Sequence, residues 1–313
     1  MKVLITGGAG FIGSNLTHHI RSAHPEAEIV VIDDLSTGSV TNLCGTGAEF
    51  VEASILDADA LDEAMDGVDS VVHLAALGSV PRSIEAPMAS HHANATGTLA
   101  VLESARRLGV RHIVAASSSS VYGSNTKLPK NEQDWTRPLS PYGVSKQATE
   151  GYVLAFGTSY GMQTLAFRFF NVFGPRQAAN HVYAAVIPRF IEAALNGEPV
   201  IVHGDGQQSR DFTFVRTVTQ TLLSAVETRL SSSAPINLAY GTNTSLLQLL
   251  HEMEEHVGRP LTRRHVADRV GDVRDSQADG LSIREAFPEL VPVPFVEGLR
   301  ETIEWYKSQR TTA

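Results

Sequence analysis

Tyr142 and Lys146 stand four residues apart in a stretch that reads as helix, so one turn brings the ammonium beside the phenol on one face. A phenol with an ordinary pKa of about 10 is a poor base at neutral pH, and adjacent positive charge favours its phenolate form. Such a pair can move a proton, although tyrosine and lysine at this spacing also recur on solvated helices. Upstream, the serine run at 117–120, followed by Val121-Tyr122-Gly123, closes an apolar β-type stretch and offers hydroxyls at its carboxyl end. A plain polar loop is the alternative there.

A second cluster opens the chain. Residues 3–6 run into Gly7-Gly8-Ala9-Gly10-Phe11-Ile12-Gly13 and then into a helical pattern. Gly8, Gly10 and Gly13 satisfy G-x-G-x-x-G, and Gly7, Gly10 and Gly13 satisfy the related three-residue spacing. Without side chains, such a turn lets backbone approach a pyrophosphate and aims amides at it from the positive end of a helix dipole. Asp33 follows Val30-Val31-Ile32, where a carboxylate accepts hydrogen bonds from both hydroxyls of an adenosine ribose and repels a 2′-phosphate. This favours NAD over NADP, with Asp34 adjoining and aspartate at a strand end also a common turn former.

The elements that must position these groups follow from periodicity. Short β-branched runs at 3–6, 29–33, 50–51, 71–74, 112–117 and 164–168 read as strands, and 14–23, 57–65, 89–108 and 142–160 read as helices. Gly109 and Gly161 are the expected helix stops. This alternation predicts an α/β fold with a doubly wound parallel sheet. After Asn171, turn signals such as Gly174-Pro175 and Gly204-Asp205-Gly206 cut the chain into shorter pieces, which predicts a smaller second lobe. Residues 212–240 read strand-helix-strand and are expected to return to the first sheet. The expected division is therefore 1–170, rejoined by 212–240, against 171–211 and 241–313.

Composition narrows the function classes. With 42% hydrophobic and 19% charged residues, a chain of 313 residues is globular. Twenty-five Lys plus Arg against 34 Asp plus Glu give a charge of −9, which provides no broad basic surface for a nucleic acid or an anionic membrane. An anionic ligand must then be held by local arginines and backbone amides. Cys44 is the only cysteine, which excludes an internal disulfide and a multi-cysteine zinc site, so no metal is expected and a reducing cytoplasm is the expected location. Glycines interrupt the apolar start before a signal-peptide core, and no stretch approaches the roughly 18 apolar residues of a membrane span.

Together the motifs resemble the extended short-chain dehydrogenase/reductase family over nearly the whole chain. The matching pieces are TGGAGFIG at the start, HLAA at 73–76, SSSSVYG at 117–123, SPYGVSK at 140–146, RFFNVFGPR at 168–176 and GDGQQSRDF at 204–212. The resemblance implies a Rossmann domain holding NAD, a C-terminal lobe closing over a nucleotide sugar, and a homodimer. It implies that Gly7, Gly10, Phe11, Ile12, Gly13, Asp33, Ser54, Ile55, Leu74, Ala75, Ala76 and Asn94 surround the cofactor, with Tyr142 as base and Lys146 holding the nicotinamide ribose. Ser118 would hydrogen-bond the reacting sugar hydroxyl. Ser79, Arg82, Ser119, Ser120, Asn171, Arg210, Arg269, Asp272 and Ser276 would complete the UDP-sugar side. Arginine suits phosphate because its planar fork forms paired, charge-assisted bonds. Ala53-Ser54-Ile55 departs from the Gly-Asp of many relatives, so the usual carboxylate to adenine is missing.

By the same resemblance, dehydratases place acidic residues after the Ser118 position and decarboxylases a glutamate, whereas Ser119 and Ser120 stand here. This leaves a 4-epimerase. The segments at 78–83, 183–188 and 271–276 look most like UDP-N-acetylglucosamine 4-epimerases, and the small Ser276 stands where epimerases restricted to unsubstituted hexoses carry a tyrosine. UDP-glucose ranks second. UDP-glucuronate ranks third, because Ala178 replaces an arginine those enzymes carry, although Arg176 lies nearby. A non-catalytic NAD-binding sensor is the contrasting class, and loss of Tyr142 or Lys146 would have favoured it.

Overall fold

Strands covered on both faces must be apolar at consecutive positions, and those of the first half are. In the computed structural model, which describes residues 1–179, 184–267 and 274–311, they are β1 (Lys2–Thr6), β2 (Glu28–Asp33), β3 (Glu49–Glu52), β4 (Ser70–His73), β5 (His112–Ser118) and β6 (Gln163–Phe169). Between them lie α1 (Phe11–Ala23), α2 (Ala58–Met65), α3 (Val80–Glu85), α4 (Pro87–His91), α5 (Gly97–Leu108) and α6 (Pro141–Tyr160). Gly109 and Gly161 end α5 and α6 at φ 77° and 67°, as expected of glycine stops. The helix expected over 89–108 is met as α4 and α5 joined through a π turn at His92–Thr96.

The later chain supplies β7 (Asn171–Phe173), α7 (Val186–Asn196), β8 (Val200–His203), β9 (Ser209–Arg210), β10 (Phe212–Phe214), α8 (Val215–Thr228) and β11 (Ile236–Leu238). Then come β12 (Thr244–Ser245), α9 (Leu246–Val257), β13 (Arg263–Val266), β14 (Asp275–Ser276), α10 (Leu281–Ala286) and α11 (Phe295–Thr311). The main sheet has seven strands in the order β11-β6-β5-β4-β1-β2-β3, all parallel. Strand order reverses between β1 and β4, and a doubly wound sheet opens its ligand crevice at the carboxyl ends of such a pair. The fold is Rossmann-like α/β. Within 212–240, α8 and β11 join the main sheet, whereas β10 pairs with β7 outside it.

Successive side chains alternate between faces, so Val3, Ile5 and Val31 pack with Leu16 and Ile20 of α1, while Leu4, Val30 and Ile32 pack with α2, α5 and α6. A third core of Phe173, Phe190, Phe212, Phe214, Leu250 and Ile303 holds the second half together. Among the described residues no helix is long and apolar enough to cross a membrane.

One charged pair lies inside the first half. Arg168 of β6, 4% exposed, forks onto both carboxylate oxygens of Glu150 on α6 at 2.6 and 2.9 Å. Ser117 Oγ donates to Glu150 at 3.0 Å, and Arg168 also reaches the Tyr122 hydroxyl at 2.9 Å. Removing one partner strands a buried charge, so Glu150→Ala should cost about 3–5 kcal/mol in urea unfolding. Glu150→Leu with Arg168→Met should recover most of that loss. A single-variant cost below about 1 kcal/mol would show that the pair is dispensable.

Candidate active site

The turn after β1 admits no side chain. A Cβ at Gly7, which sits at φ +70°, would lie 2.7 Å from the Ala75 backbone beyond β4, and one at Gly13 would lie 2.4 Å from the Gly7 carbonyl. Gly10 caps α1 in extended conformation with no side-chain hydrogen bond and no acidic residue in the first turn. The positive end of α1 is thus uncovered toward the crevice, as an anion site requires.

Asp33 is buried at the end of β2, with Oδ2 accepting the Ala9 amide at 3.0 Å and Oδ1 the Leu35 amide at 2.8 Å. Burial pushes its carboxyl above the ordinary range, and the two amides oppose that shift. Each oxygen keeps a lone pair for a further donor. The loop that follows presses on the same turn: a Gly38 Cβ would lie 2.8 Å from Ala9, and Asn42 Nδ2 donates to the Ala9 carbonyl at 2.9 Å.

Gly7, Gly10, Phe11, Ile12, Gly13, Asp33, Ser54, Ile55, Leu74, Ala75 and Ala76 all line one cavity of 1190 Å³, together with Ser79, Arg82, Ser118, Tyr142 and Lys146. Ser140 caps α6 by accepting the Gly143 amide at 3.1 Å, with Pro141 at the first helical position, and this start sets Tyr142 at the cavity wall. Tyr142 shares that wall with Ser118; burial pushes the phenol up, and the Ser118 hydroxyl opposes the shift. Lys146 Nζ donates to the Ala116 carbonyl at 2.8 Å, and burial pushes the ammonium down to about 8. Among the described residues Nζ thus bonds the β5 backbone rather than the phenol.

Asn94 stands apart from the other residues expected around the cofactor, because it does not line the cavity bounded by the described residues. It lies in the π turn, where Oδ1 accepts the Leu77 amide at 2.8 Å and Nδ2 donates to Ser145 Oγ at 2.9 Å, fastening the tail of β4 to α6. Beneath it, His73 is held neutral by burial, its pKa pushed down to about 3, between Thr6 Oγ1 at 2.7 Å and Thr98 Oγ1 at 3.0 Å.

On the substrate side the structure brings fewer residues together. Ser119 and Ser120 form a short turn behind Ser118, whose Oγ bonds Ser120 Oγ at 3.1 Å, and neither lines the cavity. Asn171 Nδ2 donates to the Asp211 carbonyl at 3.3 Å, and Arg210 donates to the Ser209 and Arg274 carbonyls at 2.8 Å. Ser276 pairs with Arg210 across β14 and β9. These three also lie off the cavity wall as described, and Arg269 and Asp272 lie outside the described residues. Sequence reasoning missed Arg176 and Gln177 after β7, and Trp305, Tyr306, Gln309 and Arg310 of α11, all of which line the cavity. The RFFNVFGPR motif contained a signal for Arg176; α11 carried none.

Residues 3–239 match the model of the NAD dependent epimerase/dehydratase family. The chain belongs to that family. The UDP-glucose 4-epimerase of Mycolicibacterium smegmatis is 34% identical over 99% of both chains. UDP-glucuronic acid decarboxylase 1 of Xenopus tropicalis is 31% identical over 98% of this chain and 72% of its own. Among solved structures, the UDP-N-acetylglucosamine 4-epimerase of Methanobrevibacter ruminantium, in complex with UDP-N-acetylmuramic acid, superposes with a TM-score of 0.92 at 35% identity over 98% of both chains. This family member is thus an enzyme whose cofactor is NAD, and the uncovered helix end and the buried Asp33 carboxylate are chemically suited to that dinucleotide.

The Lys146 environment has a consequence for stability. Its folded pKa is depressed to about 8 from an unfolded 10.5, so between those values the unfolded chain binds more protons and stability rises with pH. Thermal unfolding of NAD-free protein from pH about 8 to about 10 should show that rise, and Lys146→Met should flatten it. Equal slopes for the two proteins would mean that the ammonium is not desolvated.

Proposed function

We propose that the chain is a UDP-N-acetylhexosamine 4-epimerase, interconverting UDP-GlcNAc and UDP-GalNAc and turning over UDP-glucose less well. The observation that carries this reading is the placement of Ser118 and Tyr142 on the wall of one cavity continuous with the glycine turn, where Ser119 and Ser120 follow in place of acidic groups. Elimination needs an acid to protonate the departing hydroxyl. Epimerisation needs only a proton acceptor beside the cofactor.

In this reading NAD binds with its pyrophosphate at the glycine turn and its adenosine ribose on Asp33, and when bound it supplies the hydride acceptor and donor. Tyr142 takes the proton of the sugar 4-hydroxyl, directly or through Ser118, and returns it after the 4-keto sugar has turned its other face. Lys146 holds the nicotinamide ribose and lends positive charge to the phenolate. Arg210, Asn171, Arg269 and Asp272 hold the UDP portion, and its binding energy retains the sugar while the ring moves. The same reading assigns NAD to 1–170 with 212–240, the nucleotide sugar to 171–211 and 241–313, and the protein to the cytoplasm as a homodimer.

Purified protein incubated separately with UDP-GlcNAc, UDP-glucose and UDP-glucuronate, followed by separation of 4-epimers, tests the assignment. Conversion of UDP-glucuronate alone, or release of a dehydrated or decarboxylated product, would replace it. Tyr142→Phe should lower turnover on the order of 10²- to 10⁴-fold while NAD stays bound; near-normal turnover would remove Tyr142 as the base.

The N-acetyl preference has its own test. Ser276→Tyr should depress turnover of UDP-GlcNAc far more than that of UDP-glucose, since added bulk discriminates by a clash with one substrate. Steady-state kinetics showing equal losses would remove Ser276 as the gate.

A further inference from the structure

Arg176 follows Gly174-Pro175 and holds its backbone at φ +66°, a left-handed conformation that a non-glycine residue adopts at a cost. The residue is half-buried and lines the same cavity as Phe11 and Ile12. Among the described residues its one hydrogen bond is to Asn15 Oδ1, at 3.3 Å, and it has no carboxylate within ion-pair distance there. Arg168, by contrast, is buried against both oxygens of Glu150. A cation taken out of water without an anion carries an uncompensated desolvation cost, and burial alone holds Arg176 below its ordinary range.

Asn15 orients this arm. Its amide donates to the Phe11 carbonyl at 2.7 Å and to the Pro175 carbonyl at 2.9 Å, which pins the loop after β7 onto the first turns of α1 and leaves Oδ1 for Arg176. The charge of Arg176 is felt on α1 itself: burial first and then this guanidinium hold His18 below the ordinary imidazole range. A pyrophosphate brings two negative charges to the glycine turn, and a helix end offers only about half a positive charge. No acidic residue occupies the first turn of α1.

We propose that Arg176 supplies the missing counter-charge, binding the pyrophosphate of NAD from the side opposite the glycine turn. The assignment rests on the placement of NAD proposed above. Its partner is thus the ligand, and the loop after β7 joins the cofactor site of the first half of the chain.

The test reads cofactor retention rather than turnover. Protein purified with NAD is exchanged against isotopically labelled NAD, and UDP affinity is measured by calorimetry on the same preparations. A charge-assisted bond corresponds to about ten- to hundred-fold in affinity, so Arg176→Gln should release NAD faster by roughly that factor with UDP affinity unchanged. Arg176→Lys, which keeps the charge but loses the fork, should fall between the two and serves if the glutamine variant fails to fold. Release within twofold of the parent in either foldable variant, or a loss that falls on UDP instead, would overturn the assignment. Asp33→Ala separates the two readings: if it too leaves NAD release unchanged, the placement of the dinucleotide fails, whereas faster release from Asp33→Ala alone sinks only the role of Arg176.

Discussion

A buried charge pair holds in place the helix that carries Tyr142 and Lys146. Glu150 and Arg168 join α6 to β6 in a region where neither charge could remain alone, and Ser117 ties the same carboxylate to β5 one residue before Ser118. The pair then extends outward through the Tyr122 hydroxyl, which donates to Asn237 of β11 at 2.8 Å. Two turns up α6 from Glu150 sits Tyr142. The place of the phenol on the cavity wall is consequently set by an interaction outside that wall, and a buried pair of this kind fixes geometry more surely than it adds stability.

The electrostatics of the cavity run against those of the molecule. A chain with a formal charge of −9 lines this one cavity with Lys146, Arg82, Arg176 and Arg310, together with the positive end of α1, against Asp33, Asp34 and Glu192. Asp33 is the carboxylate set deepest among them, held by two backbone amides rather than by a cation. Repulsion from the outer surface disfavours stray anions at a distance, while the local field selects those that can reach the crevice. Lys146 is the most finely set member, because its charge is retained near neutrality with only a backbone carbonyl as partner.

What the sequence made legible was local. Strands β1 to β6 and the glycine turn announce themselves within ten or so residues, since apolar runs and glycine spacing report backbone requirements directly. The place of Asp33 at the end of a strand was readable from the apolar run before it. Asn94 was legible only as one of the residues expected around the cofactor, not as a fastening between Leu77 and Ser145, because both partners are set by tertiary packing. Arg176, Trp305 and Tyr306 reach the cavity from elements far along the chain, and no periodicity encodes which helix end will face a crevice built by other segments. Neither does periodicity mark the π turn, whose residues His92 to Thr96 include no glycine or proline.

That π turn makes the helix resistant to improvement. Between His92 and Thr96 the ladder widens, and the Asn94 carbonyl accepts the Thr98 hydroxyl at 2.6 Å and the Thr149 hydroxyl at 3.3 Å. Trimming one residue to restore regular winding would tighten the backbone and rotate everything before it by about a quarter turn relative to α5. Asn94 would swing away from Leu77 and Ser145, and Ala89 and His92 would leave the cavity wall. The irregular turn is thus a spacer that keeps two helical phases in register with two different neighbours, and an engineer who idealised it would obtain a straighter helix around a misaligned site.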